Sequence, residues 1–152
     1  MPFIIDGHNL IGKIPHISLS DINDEILLIN ILDPHFKRLR KKAFVYFDHA
    51  NLSAEGQIVN NTFLQVIFVR QPKTADQAII EKLKSVRGNA PNYTVVSSDN
   101  WIINNARKAG ARVITSEAFF KKISLPHHKE NKSSDQSENN IDYWLKVFGS
   151  DS

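Results

Sequence analysis

The sequence predicts an α/β domain with a mostly parallel central sheet of about five strands flanked by helices. Short apolar segments rich in Val, Ile, Phe and Tyr alternate with longer segments of helical periodicity, which is typical of βαβ units. The short segments are apolar at successive positions, as strands buried on both faces are. The five predicted strands are residues 3–5, 43–47, 64–69, 93–97 and 112–115.

The helices between these strands are marked with different clarity. A helix is predicted to open at Ser20 or Asp21. We expect Pro34 to interrupt it and Asp33 to cap a shorter basic helix behind it. Residues 49–62 have no clear period and predict a surface loop. Three further helices are predicted at residues 75–87 with Thr74 as the N-cap, at 99–110 ending at Gly110, and at 116–123.

The composition is that of one globular domain. The chain has 152 residues, of which 41% are hydrophobic and 23% charged, and its formal net charge is +3. It has no cysteine, which excludes disulfides and thiolate metal sites. It has no apolar segment of the roughly 18–20 residues that a membrane span needs, and its first residues lack the basic start of a signal peptide. We therefore expect a cytoplasmic protein that has no membrane partner.

The end of the chain differs in composition from the domain predicted over residues 1–125. Residues 126–140 are almost entirely polar, which predicts a disordered linker. Residues 141–148 are again apolar at helical spacing. The tail, residues 141–152, is therefore expected to carry a short helix that docks on the domain through Trp144 and Phe148 or is presented to a partner.

Four aspartates stand at equivalent places relative to the predicted strands. Asp6, Asp48 and Asp99 follow the first, second and fourth strands, and Asp76 begins the helix after the third. The carboxyl ends of parallel strands lie along one edge of the sheet, where doubly wound sheets bind their ligands. Any one of these residues is commonly a helix cap or a turn residue. Four of them at one edge predict a shared site.

Carboxylates that are brought together repel one another, and one of them takes up a proton unless a cation joins the group. Mg²⁺ and Mn²⁺ prefer oxygen ligands and are bound by a few carboxylates together with phosphate oxygens. Such an ion activates a water molecule for attack on a phosphodiester and stabilises the leaving oxygen. On a chain with a net positive charge, the pattern predicts metal-dependent hydrolysis of a nucleic acid.

Basic and polar residues near these acids are the predicted substrate contacts. Arg70 and Lys73 precede Asp76 at the same predicted edge. Residues 36–42 contain five Lys or Arg, and this run is either a nucleic-acid surface or a solvated helix face. Trp101 is expected to pack rather than to stack on a base. The predicted substrate-binding residues are Arg70, Lys73, Lys13, Arg38, Lys41, Ser98 and Asn100.

Four segments, in order, resemble the YacP-like branch of the NYN domains, which belong to the PIN-like nuclease superfamily. FIIDGHNLI (3–11) is similar to the opening Asp-Gly-Tyr/His-Asn motif, and VYFDHAN (45–51) to the second acidic motif. TADQAIIEKL (74–83) resembles the Thr/Ser-Ala-Asp helix start, and residues 95–119 resemble the Ser-Asp segment. The resemblance covers roughly residues 3–123. It implies a PIN-like three-layer fold and a metal-dependent endoribonuclease activity.

The resemblance also implies roles for single residues. Asp6, Asp76 and Asp99 would bind Mg²⁺ or Mn²⁺, Asn9 would support the site by hydrogen bonding, and Asp48 would be a fourth acid. The implied partner is RNA, single-stranded at the site, with association with mRNA or the ribosome; the oligomeric state is not indicated. His8 replaces a residue that is often Tyr in the family, and we expect it to pack or to contact the edge of the substrate.

Other functions fit parts of this pattern. A PIN-like module that binds RNA without cleaving it would have the same fold, but the presence of all four acids favours the enzyme. A receiver-like phosphoacceptor domain would need a second acid beside Asp6 and a lysine after the fifth strand, where the chain has Gly7 and Ser116. A phosphatase or a DNA-directed flap-type nuclease uses similar acids, and only a comparison of RNA and DNA substrates separates these from a ribonuclease.

Overall fold

The computed structural model describes residues 1–15, 17, 24–48 and 60–124, which form five strands and five α-helices. The strands are β1 (Phe3–Asp6), β2 (Ala43–Asp48), β3 (Leu64–Val69), β4 (Thr94–Val96) and β5 (Arg112–Ile114). The helices are α1 (Gly7–Ile11), α2 (Asp24–Leu39), α3 (Ala75–Ser85), α4 (Asn100–Ala109) and α5 (Ser116–Ser124), with a 3₁₀ turn at Ala90–Asn92. Each predicted strand is present, and its ends lie within one residue of the predicted ones.

The five described strands form one parallel sheet in the order β3-β2-β1-β4-β5. The chain builds outward from β1 to β3 and then crosses to the other side of β1, so the strand order reverses between β1 and β4. The register pairs Phe3 with Ala43 on one side and with Thr94 on the other. The strand ends therefore define two edges, here called the carboxyl edge and the amino edge. The reversal at the carboxyl edge is where doubly wound sheets bind ligands.

Helices cover both faces of the sheet and complete the three-layer α/β fold that the sequence predicts. On one face, α1, α2 and α5 pack against Ile5 and Phe47. On the other face, α3 and α4 pack against Ile4 and Tyr46. Successive residues of a strand point to opposite faces, which is why β1 contributes Ile4 to one core and Ile5 to the other.

The predicted ends of two helices are confirmed by their capping contacts. At the start of α3, the Thr74 hydroxyl accepts from the Gln77 N–H (3.4 Å) and the Gln77 side chain accepts from the Thr74 N–H (3.1 Å). This reciprocal pair is a capping box. At the end of α4, Gly110 adopts φ 91°, the left-handed conformation that glycine takes up without a steric cost.

The prediction that Pro34 ends a helix is wrong, because α2 continues through it from Asp24 to Leu39. Proline removes one N–H from the helical ladder, and the carbonyl left without its partner belongs to Asn30, an exposed residue. Buried side chains on both sides of the proline, including Leu32 and Phe36, keep one helical phase. Asp33 caps no second helix and instead forms an ion pair with Lys37 (3.1 Å).

Helix α1 was not predicted, and its first residue is held by close packing. Gly7 is buried, and a Cβ at this position would overlap the Phe47 ring and lie 2.9 Å from the Tyr46 carbonyl oxygen. Gly7 does not have a positive φ. A glycine is required here because β1 and β2 leave no room for a side chain directly after Asp6.

Several predictions concern residues outside the described ranges. These are the start of the second helix at Ser20 or Asp21, most of the 49–62 loop, the linker at 126–140 and the tail at 141–152. Among the described residues, no helix is both long enough and apolar enough to cross a membrane.

Candidate active site

All four predicted aspartates lie at the carboxyl edge of the sheet. Asp6 is the last residue of β1 and Asp48 the last residue of β2. Asp76 is the second residue of α3, and Asp99 is the N-cap residue of α4. The topology therefore brings together residues that are far apart in the sequence, at the point where the strand order reverses.

Asp6 has the most perturbed environment of the four. Burial raises the pKa of its carboxyl group from 3.8 to about 6, a hydrogen bond from Ser97 acts in the opposite direction, and the charges of Asp48, Asp99 and Asp76 raise it further. The Ser97 hydroxyl donates to Asp6 Oδ2 over 3.2 Å, and Ser97 itself is fully buried. Asp6 precedes α1 but makes no side-chain capping bond to it. Its carboxylate is thus directed to the site rather than used in a helix cap.

Asp48 and Asp76 meet at the start of α3. Asp48 Oδ1 accepts a hydrogen bond from the Ala75 N–H, so the end of β2 is bonded to the first turn of this helix. Asp76 Oδ1 accepts from the Thr74 hydroxyl and from the Gln77 N–H. A carboxylate at a helix start is stabilised by the helix dipole. Both residues therefore have a structural role in addition to their place at the edge.

Asp99 caps α4 and is the most exposed of the four aspartates. Its Oδ1 accepts from the Trp101 N–H (2.8 Å) and the Ile102 N–H (3.2 Å). Its own N–H donates to the Ser97 hydroxyl (3.0 Å). Ser97 thus connects Asp6 and Asp99, which places the two predicted metal-binding acids on either side of one buried hydroxyl group.

Asn9 joins the three strand ends that surround the site. Its side-chain oxygen accepts from the Ser98 N–H (2.8 Å) and from the hydroxyl of fully buried Ser116 (2.7 Å). The Ser116 N–H donates to the Ser98 hydroxyl (3.0 Å), and that hydroxyl donates to the Glu117 carboxylate. Asn9 therefore fixes the segments that follow β4 and β5 relative to the end of β1.

A second acidic group, not predicted from the sequence, lies beside the first and is formed by His8, Asp24 and Glu25. The described residues hold one set of three His, Cys, Asp or Glu side chains whose ligand atoms lie within 4.8 Å of one another, and it is this one. His8 Nε2 lies 2.8 Å from Glu25 Oε2, and the His8 ring packs against Phe47 with a centroid separation of 5.1 Å.

The two acids of this group are adjacent in sequence and almost completely buried, at 4% and 5% exposure. Burial raises the pKa of Asp24 to about 6, the adjacent Glu25 raises it further, and the charge of His8 acts in the opposite direction. The sequence signal was weak, because two acids in a first helical turn are usually dipole partners. Their contact with His8 depends on how α2 packs against α1.

The predicted substrate-binding residues divide between the two edges of the sheet. Ser98, Asn100, Arg70, Lys73 and Lys13 follow strands or precede helices at the carboxyl edge. Lys13 is paired with Glu117 (3.4 Å) and Lys73 with Glu81 (2.7 Å). Arg38 lies in the last turns of α2 and Lys41 lies just before β2, which places both at the amino edge.

Trp101, which the sequence led us to expect as a packed residue, is 48% exposed in the first turn of α4. The residues that face its exposed ring are therefore not core residues. It stands two positions after Asp99, at the carboxyl edge.

Comparisons with known proteins follow the fold and the site. A search of curated protein sequences finds no significant match. Two crystal structures of Rae1 (YacP) from Bacillus subtilis are similar. The W164L mutant has a TM-score of 0.65 and 19% identity over 98% of this chain and 84% of that chain, and a second structure has a TM-score of 0.66 and 20% identity over 99% and 83%.

The family model of the YacP-like NYN domain matches residues 3–146. That range extends beyond the resemblance at residues 3–123 and includes most of the predicted linker and the start of the tail. NYN domains are nuclease-like, which supports a hydrolase of the nuclease type. The chain belongs to the YacP-like NYN domain family.

Proposed function

We propose that the protein is a metal-dependent endoribonuclease that hydrolyses RNA phosphodiester bonds at the carboxyl edge of its sheet. The observation that carries the proposal is the environment of Asp6. This carboxyl group is largely buried, and the described charges that act on it are those of three other aspartates. Such a group is short of positive charge, and a divalent cation supplies it.

The side chains present fit Mg²⁺ or Mn²⁺. Asp6, Asp76 and Asp99 offer carboxylate oxygens, with Asp48 as a fourth, and these ions prefer oxygen ligands. Mg²⁺ keeps several waters and needs only one or two carboxylates in direct contact, so the acids need not converge on one point as the atoms of the second group do. When bound, the ion supplies Lewis-acid chemistry: it activates water for in-line attack and stabilises the leaving oxygen.

The protein's own residues then orient the site and the substrate. Ser97 holds one oxygen of Asp6, and Asn9 fixes the turn that carries Ser98. Groups that support a metal ligand in this way set the direction of its lone pairs. The Ser98 and Asn100 side chains lie beside Asp99, where they can donate to phosphate oxygens.

Three basic residues are placed to bind the flanking phosphates. Arg70 is exposed directly after β3. Lys73 and Lys13 are engaged in exposed ion pairs, and such pairs contribute only about 0–1 kcal/mol. A phosphodiester can therefore displace Glu81 or Glu117 at a small cost. The exposed ring of Trp101 offers a surface on which an unpaired base can stack.

The test compares cleavage of a single-stranded RNA by wild type and by Asp6→Asn in the presence of Mn²⁺. Asn retains an oxygen that can accept from Ser97 but removes the charge. The matched control is Asp33→Asn, which makes the same chemical change beside Lys37, outside the site. We expect wild type and the control to cleave and Asp6→Asn not to cleave. RNA binding by all three proteins with cleavage by none would instead identify an RNA-binding module that lacks catalysis.

The same assay with single-stranded DNA of the same sequence tests the substrate class. A ribonuclease cleaves the RNA in preference to the DNA. Equal cleavage of both would contradict the RNA part of the proposal while leaving the metal site in place. Protein association with mRNA or the ribosome is a further expectation, which co-sedimentation of Asp6→Asn with each of them checks.

A further inference from the structure

A cluster of basic residues occupies the amino edge of the sheet, where α2 leads into β2. We define the basic edge as Arg38, Arg40, Lys41, Lys42 and Lys82, all of which are exposed. The first four belong to one continuous stretch of chain, and Lys82 comes from the last turn of α3. Asp33, one turn earlier on α2, is already bound by Lys37 and by the Asn61 amide (2.8 Å).

The basic edge is separated from the acids by the length of the sheet. Lys41 and Lys42 precede Ala43 at the start of β2, and Asp48 ends the same strand. Five residue steps at about 3.3 Å each place the two ends about 17 Å apart. These residues therefore cannot contact a phosphate that lies at Asp6. A function for them needs a different part of a ligand.

The backbone holds the basic edge in a defined geometry. The Lys41 N–H donates to the Phe36 carbonyl oxygen and the Arg40 N–H to that of Lys37, both at 3.2 Å. This pair of bonds is a Schellman motif, and Arg40 occupies its left-handed position with φ 55°. Glycine is the usual residue there because a side chain is sterically disfavoured. The chain instead places an arginine at this exposed corner.

Two ammonium groups from different elements converge on one ring at this edge. Lys82 Nζ lies 4.4 Å and Lys42 Nζ 5.7 Å from the centroid of the Phe44 ring. The ion pairs formed between described residues include neither lysine. Like charges held near each other repel, and an anion bound between them removes the repulsion. A phosphodiester has the charge and the oxygen acceptors to do so.

The helix dipole accounts for part of this pattern, since cations are favoured at any helix C-terminus. It does not account for Lys41 and Lys42, which lie beyond the end of α2. It also does not explain an arginine at a glycine position. The exposed large apolar residues of the described ranges are Met1, Leu39 and Trp101, and Trp101 is at the other edge. The basic edge thus offers phosphate contacts without an exposed aromatic ring for base stacking, which predicts binding that is independent of sequence.

We infer that the basic edge is a second RNA-binding surface, which holds the sugar-phosphate backbone of an RNA segment away from the cleavage site. Its binding to RNA needs no catalysis, whereas its use in holding a substrate rests on the proposed function. RNA is favoured over an acidic protein because the cations are arrayed along an edge and lack the apolar centre that protein interfaces have.

The experiment measures binding of a labelled single-stranded RNA by fluorescence anisotropy, from about 50 to about 200 mM salt. The metal-free Asp6→Asn protein is the background, so that the RNA stays intact. Arg38→Gln/Lys41→Gln removes one arginine and one lysine from the basic edge. Its matched control, Arg107→Gln/Lys108→Gln, removes the same pair from the last turn of α4. That turn precedes β5, which lies three strands, about 14 Å, from β2.

We expect the basic-edge variant to lose at least about tenfold in affinity at the lowest salt, and the slope of log K against log salt to fall by about two. The charge-retaining variant Arg38→Lys/Lys41→Arg and the α4 control should keep both values. Equal losses in the basic-edge variant and the α4 control would show a general effect of net charge and overturn the inference. Unchanged RNA affinity in Arg38→Gln/Lys41→Gln would also overturn it and favour an acidic protein as the partner.

Arg40→Gly separates binding from folding. Glycine suits the left-handed position, so the melting temperature should stay the same or rise while the RNA affinity falls. A fall in affinity together with a lower melting temperature would count against a direct contact. Failure of wild type to cleave RNA in Mn²⁺ would remove the proposed function without changing either binding result.

Discussion

Two acidic groups lie side by side at the carboxyl edge, and they solve the same electrostatic problem differently. Asp6 in the four-aspartate group and Asp24 in the His8–Asp24–Glu25 group both have a pKa raised to about 6, with burial as the first cause. Around Asp6, the further described charges are all acidic. Around Asp24, the imidazole of His8 supplies an opposing charge and bonds to Glu25.

The comparison teaches which of the two groups needs a ligand. The His8 group can satisfy itself, because a histidine and two carboxyls can share protons among themselves. The four-aspartate group has no such internal cation in the described structure, so it must bind protons or an external cation. Compactness is therefore a poor guide here: the group whose ligand atoms are closest together is the one that is already compensated.

The largest expected effect is on cleavage, and it separates the two groups directly. Loss of a residue that merely supports a metal ligand costs about 10- to 100-fold, so we expect Asp6→Asn to reduce kcat/KM by more than about 100-fold. Asp24→Asn should retain most of the activity. Kinetics with the same RNA and Mn²⁺ measure both. If Asp24→Asn were as inactive as Asp6→Asn, the His8 group would be the metal site and the comparison would be reversed.

The next largest effect concerns Gly7, which holds the start of α1 between the two groups. Gly7→Ala places a Cβ against the Phe47 ring and the Tyr46 carbonyl oxygen, and such overpacking costs about 1–3 kcal/mol. Because Asp6 and His8 flank this residue, activity should fall with stability. Chemical denaturation and the cleavage assay measure the two changes.

Gly110→Ala is the control for Gly7→Ala. It strains the left-handed position at the end of α4 and should lower the stability by about 1 kcal/mol without changing kcat. Full activity in Gly7→Ala would show that the end of β1 tolerates displacement, which the proposed site does not allow.

A smaller effect is the pH dependence of the metal-free protein. The folded state holds protons on Asp6 and Asp24 more tightly than the unfolded chain does, since both pKa values are raised from 3.8 to about 6. The contribution of these groups to the free energy of unfolding therefore falls as the pH rises from about 4 to about 6. Asp6→Asn removes its share, so its stability relative to wild type should rise by about 1–3 kcal/mol over that window.

Thermal unfolding of wild type and Asp6→Asn at several pH values, in the presence of a chelator, measures this difference. Adding Mn²⁺ at pH 7 should stabilise wild type and have little effect on Asp6→Asn, because an ion that binds only the folded state raises its stability. A constant difference between the two proteins from pH 4 to pH 7 would contradict the assignment of the raised pKa to Asp6.

The smallest effect tests the double role of Asp99. Asp99→Asn preserves an oxygen that caps α4 and should leave the stability close to that of wild type, whereas Asp99→Ala loses the cap and about 1 kcal/mol. Both variants should lose cleavage, since both lack the carboxylate. Circular dichroism melting and the RNA assay distinguish the roles. Retained cleavage in Asp99→Asn would restrict Asp99 to a helix cap.

Much of this architecture could be predicted from local sequence patterns. The five strands, the Thr74 cap and the Gly110 terminus depend on neighbouring residues, and neighbouring residues are visible in a sequence. The placement of the four aspartates at one edge also followed, because parallel strands share a direction. The metal-binding roles remain predictions, since they depend on a ligand.

The errors arise where tertiary packing decides. Pro34 usually ends a helix, but buried side chains on both sides of it stabilise a continuous α2. The meeting of His8 with Glu25 depends on how two helices lie on the sheet, and no spacing in the sequence encodes it. The position of Lys41 could have been inferred: a residue directly before a strand lies at the edge opposite to the one after it.

The direction of the strands has a consequence for how the molecule approaches RNA. With carboxylates at one end of β2 and a cluster of ammonium and guanidinium groups at the other, the protein has a pronounced electric dipole. In the field of a polyanion such a body is rotated before it makes contact, so that the positive end arrives first and the catalytic mouth faces away. Divalent ions that load the mouth weaken that bias, and the ionic composition of the solution thereby governs the angle of encounter as well as the chemistry.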